Sequence, residues 1–288
     1  MNTQRAVADW LSTLEQSQAR APTTLAAYRR DLSSLPDIAL TDLDGDAVRR
    51  WTHQARSHGL SPTSLARRLS ALRSFCQHAR RHGWMSHDPC AGIRAPKTDR
   101  RLPNTLSVDD AQALLTPSGD TPIDRRDQAL WELLYGSGMR LAEVAGLQLS
   151  DLDLADRIAR VTGKGSKTRM APLTTAAVSA VEAWLAVRPV NPCNALFNTD
   201  QGRPLSMRQI QRRLKQRALA TLDHQALHPH QLRHAFATHM LEGSGDLRAV
   251  QELLGHAHLS TTQVYTHLDF NHIAQAYDQA HPRARRKP

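Results

Sequence analysis

Apolar residues recur at helical spacing through the first 86 positions. Val7, Trp10, Leu11 and Leu14 form one stripe, and Leu65, Leu69, Leu72 and Phe75 form another, opened by the helix-start pair Ser61-Pro62. The pattern predicts a small all-helical domain over residues 1–87. Residues 88–105 then carry three prolines and four basic side chains, the composition of a linker. Helical periodicity resumes at Leu106, with Ser107 and Asp110 at capping spacing, and predicts a second domain over residues 106–281. One strand-like patch interrupts it. Residues 157–161 and 168–173 flank a turn at 162–167 and read as a hairpin with Lys164 at its tip. A further helix starts at Ser206, with Ile210 and Leu214 inward and Arg208, Arg212, Arg213, Lys215 and Arg217 outward. Residues 282–288 read as a basic tail. The fold class is therefore mainly α, a small N-terminal helical bundle followed by a mixed α/β domain with a small antiparallel sheet.

A length of 288 residues suits two domains, each with its own core. Lys and Arg number 37 against 27 Asp and Glu, a net charge of +10 that favours a polyanionic partner. Residues 1–96 carry 13 basic and 8 acidic side chains and residues 97–288 carry 24 and 19, so each part has a net charge of +5. A field spread over both domains suits a protein that encircles DNA better than one with a basic tail alone. Arg29, Arg30, Arg49, Arg50, Arg67, Arg68, Arg73, Arg80 and Arg81 lie opposite the apolar stripes, either as solvated faces or as phosphate contacts. Lys does not occur before position 97, and the planar guanidinium fork matches phosphate geometry, which favours contact with DNA. Cys76, Cys90 and Cys193 are widely spaced, without a C-x-x-C pair, and no secretory leader precedes them; a reduced cytoplasm is expected. No window reaches the roughly 18 apolar residues of a membrane span.

The densest chemistry lies in residues 230–265. On a helix, His230 and Arg233 project within about 60° of one another, roughly one turn apart, and grip one anion. His256 follows the apolar run Val250, Leu253, Leu254 and the helix-stopping Gly255, which places it in a turn, free to donate. Ser260 and Gln263 have capping-box spacing and set Tyr265 in the second turn of a short helix. Such a set suits a phosphate ester attacked by a tyrosine. Arg140 emerges where Gly136 and Gly138 break a helix; taken alone it reads better as a surface pair with Glu143, worth a few tenths of a kcal/mol. Gly163-Lys164-Gly165 lacks Walker spacing, and Lys164 on a hairpin tip is placed to protonate a leaving oxygen in a DNA groove. His230 and His234 have metal-ligand spacing, with His224, His228, His256 and His258 nearby. Arg233 between them repels a dication, and the glutamate of H-E-x-x-H is missing. His234 and His239 read as packing or supporting residues.

Taken together, Arg140, Lys164, His230-x-x-Arg233, His256 and Tyr265 resemble, in order and spacing, the catalytic set of the tyrosine recombinases, also called the phage integrase family. The run Leu-Arg-His-Ala-Phe-Ala-Thr-His-Met-Leu-Glu from Leu232, and the run from Val250 to Thr-Gln-Val-Tyr-Thr-His-Leu-Asp-Phe, are similar to the bacterial Xer branch. The ending Ala-Tyr-Asp-Gln-Ala-His-Pro-Arg-Ala-Arg-Arg resembles one of its two partner types, the one that works with XerD. The resemblance spans essentially the whole chain, including Thr24-Leu-Ala-Ala-Tyr-Arg-Arg-Asp-Leu; His258 departs from the expected Asn or Asp. It implies a SAM-like core-binding domain followed by the recombinase catalytic domain. It also implies roles. Tyr265 attacks the scissile phosphate to give a 3′-phosphotyrosyl link, Arg140 and Arg233 hold the non-bridging oxygens, and His256 donates to them. His230 manages the tyrosine proton and Lys164 protonates the 5′ oxygen. Neither metal nor other cofactor is implied. The implied partners are double-stranded DNA with a dif-like site, an XerD-like recombinase in a heterotetramer of two plus two, and a septal DNA translocase as regulator. The implied task is resolution of chromosome and plasmid dimers at cell division, with the C-terminal helix near Ile273 and Tyr277 docking on a neighbouring subunit. Rivals are an integron, phage or transposon integrase, a type IB topoisomerase, and a non-catalytic DNA-binding protein.

Overall fold

A computed structural model describes residues 1–18, 20–96, 106–163, 168–189, 193–222, 227–254, 277 and 280–283. The chain divides into two compact units, Met1–Arg101 and Leu102–Pro288.

The first unit is helical. Its helices are α1 (Thr3–Gln16), α2 (Pro22–Leu32), α3 (Gly45–Ser57) and α4 (Pro62–Arg81). Proline opens α2 and α4, where its missing N–H costs nothing, and Asp44 caps α3 by accepting from the Ala47 N–H at 2.8 Å. The two sequence stripes meet in one core, where Val7, Trp10 and Leu11 of α1 pack with Leu69, Leu72 and Phe75 of α4. Cys90 is buried in the same core and Ile93 packs against it, while Arg73 donates to the Ile93 carbonyl at 2.5 Å. Residues 88–96, read as linker, thus belong to the first unit because they carry apolar side chains that its core takes up. Not every arginine read as DNA-facing projects freely. Arg67 pairs with buried Asp31 at 2.8 Å, and Arg68 donates to Ser34 Oγ at 3.1 Å.

The second unit is built around α6 (Pro122–Gly136), which is buried from Ala129 to Gly136 and carries the charged residues Arg126, Asp127 and Glu132 into the interior with it. A capping box of Thr121 and Asp124 starts it. Around it stand α5 (Val108–Leu115), α7 (Leu141–Gly146), α8 (Thr175–Leu185), α9 (Met207–Thr221) and α10 (Pro229–Ser244), and α11 (Leu247–Leu254) packs on α10. The predicted cap Ser107 is in place, accepting from the Asp110 N–H at 3.0 Å, and at the predicted helix start Ser206 caps α9 by accepting from the Gln209 N–H at 3.3 Å. The hairpin forms as predicted, β2 (Ile158–Thr162) antiparallel to β3 (Thr168–Pro172), and a short β1 (Leu152–Asp153) adds a third strand beside β2. The register pairs Ala159 with Ala171 and Val161 with Arg169, and of these Ala159, Val161 and Ala171 are buried.

α9 departs from the expectation of a uniformly outward basic face. Arg208, Arg212 and Lys215 are exposed, but Arg213 pairs with the buried Asp127, and Arg217 donates to the carbonyls of Leu114 and Thr116 at the end of α5. Buried carboxylates and orphan helix-end carbonyls must find donors, and these two arginines supply them. Tyr277 also departs from expectation. It is buried in its own chain, its hydroxyl donating to the Gly136 carbonyl at 2.5 Å and its ring lying 6.4 Å from that of Phe236. Ile273 lies outside the described residues. Arg283, counted with the tail, pairs with buried Glu132. Among the described residues, no helix is long and apolar enough to cross a membrane. Cys76 and Cys90 are buried and form no disulfide.

Candidate active site

The break between α6 and α7 is set by Gly138, whose φ of +59° favours glycine. A Cβ there would lie 2.3 Å from the Phe236 ring, so this glycine permits a close approach of the α10 side chain. Arg140, two residues on, is the N-cap of α7. Its backbone N–H donates to Glu143 Oε2 at 2.7 Å and its guanidinium Nη1 to Oε1 at 2.9 Å. The surface-pair reading of Arg140 and Glu143 is corrected here: the Glu143 side chain is only 3% exposed, while that of Arg140 is 43% exposed. The carboxylate serves as a buried anchor and leaves the guanidinium open on one side. Burial pushes the Glu143 carboxyl up, but the Arg140 N–H and the Arg169 guanidinium outweigh it and leave the carboxyl below its usual range.

Arg169, on β3, donates from Nη2 to Glu143 Oε2 at 3.1 Å and from Nε to the Leu253 carbonyl at 3.3 Å. Sequence reasoning passed over it. The available signal was strand alternation, since Arg169 shares the sheet face of Ala171 and pairs across the ladder with Val161.

Arg233 projects from α10 and spans two main-chain carbonyls, Gly138 through Nη1 and Leu254 through Nη2, each at 2.5 Å. Its pKa is pushed down to about 10, chiefly by burial and next by the Arg140 charge. It therefore remains a cation at neutral pH. The last carbonyls of α11 thus accept from two different arginines, as the negative end of a helix dipole favours. His230 lies three residues before Arg233 in the first turn of α10, exposed, after Pro229 and the His228–Gln231 capping box. His239 is buried, with Nδ1 2.9 Å from the Tyr135 hydroxyl, a packing role as expected; His234 is exposed. Of the predicted set, Arg140, His230 and Arg233 fall on neighbouring elements, while Lys164, His256 and Tyr265 lie outside the described residues.

Three guanidiniums around one carboxylate leave an excess of two positive charges, and the partly exposed member, Arg140, is fixed from behind. Such a cluster is suited to hold a phosphate through its non-bridging oxygens.

The class follows from comparison with known families. Residues 104–272 match the phage integrase family and residues 7–83 its N-terminal SAM-like domain. The chain belongs to the phage integrase family and is an enzyme of the tyrosine recombinase class, which cuts and rejoins DNA strands. Within that family it is similar to the protein named tyrosine recombinase XerC of Pseudomonas syringae pv. syringae (strain B728a), at 49% identity over 95% of each chain. The resemblance to the XerC type read from the C-terminal residues is thereby borne out. Among solved structures, that of XerA recombinase is 25% identical with a TM-score of 0.51, covering 97% of this chain and 99% of that one. A lambda integrase (75–356) dimer bound to a COC′ core site shares the fold at 19% identity, with a TM-score of 0.69 over 92% of this chain and 100% of that one.

Proposed function

We propose that this recombinase acts as the XerC-type member of a two-recombinase system, together with an XerD-like partner in a heterotetramer of two plus two. In this reading it resolves chromosome and plasmid dimers at a dif-like site in the cytoplasm, under a septal DNA translocase. The 49% identity to XerC supports the partner type. The observation that carries the chemistry is the pair of oriented guanidiniums: Arg140 is fixed by buried Glu143, and Arg233 spans the Gly138 and Leu254 carbonyls.

Charge builds on the non-bridging oxygens as the tyrosine attacks, and donors already aimed at them lower the barrier without reorganisation. Arg140 and Arg233 fill that role, with His256 as a further donor. Tyr265 is the nucleophile and becomes linked to the 3′ phosphate; the 5′ oxygen leaves with a proton from Lys164. His230, in the exposed first turn of α10, takes the tyrosine proton. The covalent link retains the phosphodiester energy for rejoining, so the reaction needs no nucleotide or metal. The first unit supplies core binding and the second the chemistry.

The test mixes the full chain, with and without an XerD-type recombinase, with a nicked synthetic dif-like duplex, and looks for an SDS-resistant protein–DNA adduct. An adduct is expected with the natural chain and none with Tyr265→Phe. An adduct that persists in Tyr265→Phe would rule out this nucleophile. Binding of the duplex without any adduct would leave a DNA-binding protein in place of the recombinase proposed.

A further inference from the structure

Arg169 has no part in the chemistry above, yet it is the group through which three elements of the site meet. It is held nearly out of solvent, its side chain 12% exposed. Nη2 reaches the carboxylate that orients Arg140, and Nε reaches the Leu253 carbonyl in the last turn of α11. The next carbonyl, that of Leu254, is held by Arg233. The hairpin strand, the Arg140 turn and the end of α11 are therefore joined by one planar fork.

We propose that Arg169 is a positioning residue for strand cleavage, fixing the Glu143 carboxylate behind Arg140 and the end of α11 beside Arg233 in the geometry that grips the phosphate. The inference rests on the reading of Arg140 and Arg233 as the phosphate grip. It follows from what each atom can do. Glu143 Oε2 accepts from both the Arg140 backbone N–H and Arg169, while Oε1 accepts from the Arg140 side chain. Without Arg169 the buried carboxylate loses one of its two guanidinium partners and swings to the other, drawing the Arg140 side chain inward. The Leu253 carbonyl loses its donor at the same time. A lysine at 169 restores charge but, lacking the fork, does not serve both acceptors at once.

The experiment uses the full chain and the nicked dif-like duplex, comparing the natural protein with Arg169→Gln and Arg169→Lys. Three quantities are measured: the single-turnover rate of adduct formation, the duplex affinity, and the thermal midpoint. Misplacement of a reacting group by about 1 Å costs up to about 10²-fold. Arg169→Gln is therefore expected to slow adduct formation by about 10- to 100-fold in the folded, duplex-saturated protein, and Arg169→Lys to recover part of that loss. The acid limb of the rate profile should also move to higher pH in Arg169→Gln. Glu143 is faced by Arg140 from α7, Arg169 from β3 and Arg233 from α10, and one of these cations is then gone. A rate equal to that of the natural chain overturns the inference. So does a loss that follows the folded fraction alone, with the acid limb unmoved, because that is the signature of a merely stabilising ion pair. Failure of the natural chain to form any adduct would sink both the recombinase reading and this inference; an adduct formed equally by the natural chain and Arg169→Gln would sink this inference alone.

Discussion

Arg233 shows how strictly the site constrains single side chains. Its two terminal nitrogens serve carbonyls from two different elements, Gly138 before α7 and Leu254 at the end of α11. Lysine is a point donor and cannot span both. Arg233→Lys is expected to slow adduct formation by about 10²–10³-fold, the scale of losing one oriented oxyanion donor. A single-turnover assay at saturating duplex checks it, and wild-type kinetics would remove Arg233 from the phosphate grip. Gly138 is equally constrained, for a different reason. Its positive φ and the Phe236 ring 2.3 Å from any added Cβ leave no room for a side chain. Gly138→Ala should destabilise the protein by about 1–3 kcal/mol through backbone strain and overpacking. A thermal midpoint equal to that of the natural chain would contradict the described turn.

At the scale of elements, the helix that carries Arg233 is buttressed by the C-terminal residues of its own chain. Tyr277, Ala280 and His281 pack on α6 and α10, and a Cβ on Gly243 would meet the Ala280 carbonyl at 2.5 Å. His281 is fully buried, its Nδ1 accepting from the Arg283 N–H at 3.1 Å, and its pKa is pushed down to about 3. Burial is the main cause, and the Arg283 and His239 charges add to it. The imidazole is therefore neutral when folded, whereas the unfolded chain binds a proton below about pH 6.5. Stability from this group is complete above about pH 6.5 and falls with decreasing pH, by up to about 1.4 kcal/mol per unit. Denaturant unfolding between pH 6.5 and 5 should show that slope, and His281→Gln, which cannot titrate, should flatten it. A slope unchanged in the variant would place the proton uptake elsewhere.

For the whole molecule, the decisive property is a positive charge of +5 in each of the two parts counted, residues 1–96 and 97–288. If both units neutralise phosphates, counterion release makes affinity for duplex DNA strongly dependent on salt. A protein with six to ten phosphate contacts loses about 10³–10⁵ in affinity between roughly 50 and 200 mM salt. Gel-shift titrations over that range should show a steep log–log slope, and a flat one would exclude broad contact by both units. The mechanism also expects adduct formation in the presence of EDTA; loss on chelation with recovery by zinc would reopen the histidine-cluster reading.

The sequence by itself determined what depends on local periodicity and residue chemistry. The apolar stripes of α1 and α4, the cap Ser107, the helix start at Ser206 and the β2–β3 hairpin were legible because each is written at short spacing along one segment, and the family's residues were legible as an ordered set of motifs spread along the chain. What depends on which segments meet was not legible. Arg140 and Glu143 looked like a surface pair because three-residue spacing does not reveal burial, and Glu143 becomes an anchor only when β3 brings Arg169 against it. Arg213 and Arg217 looked outward because a helical wheel does not show that Asp127 and the end of α5 lie beside α9. Tyr277 looked available to a neighbour until Gly136 and Phe236 were seen to take it up. In each case a buried carboxylate, an orphan carbonyl or an apolar gap from a distant part of the chain claimed the side chain, and only the tertiary structure brings those partners together.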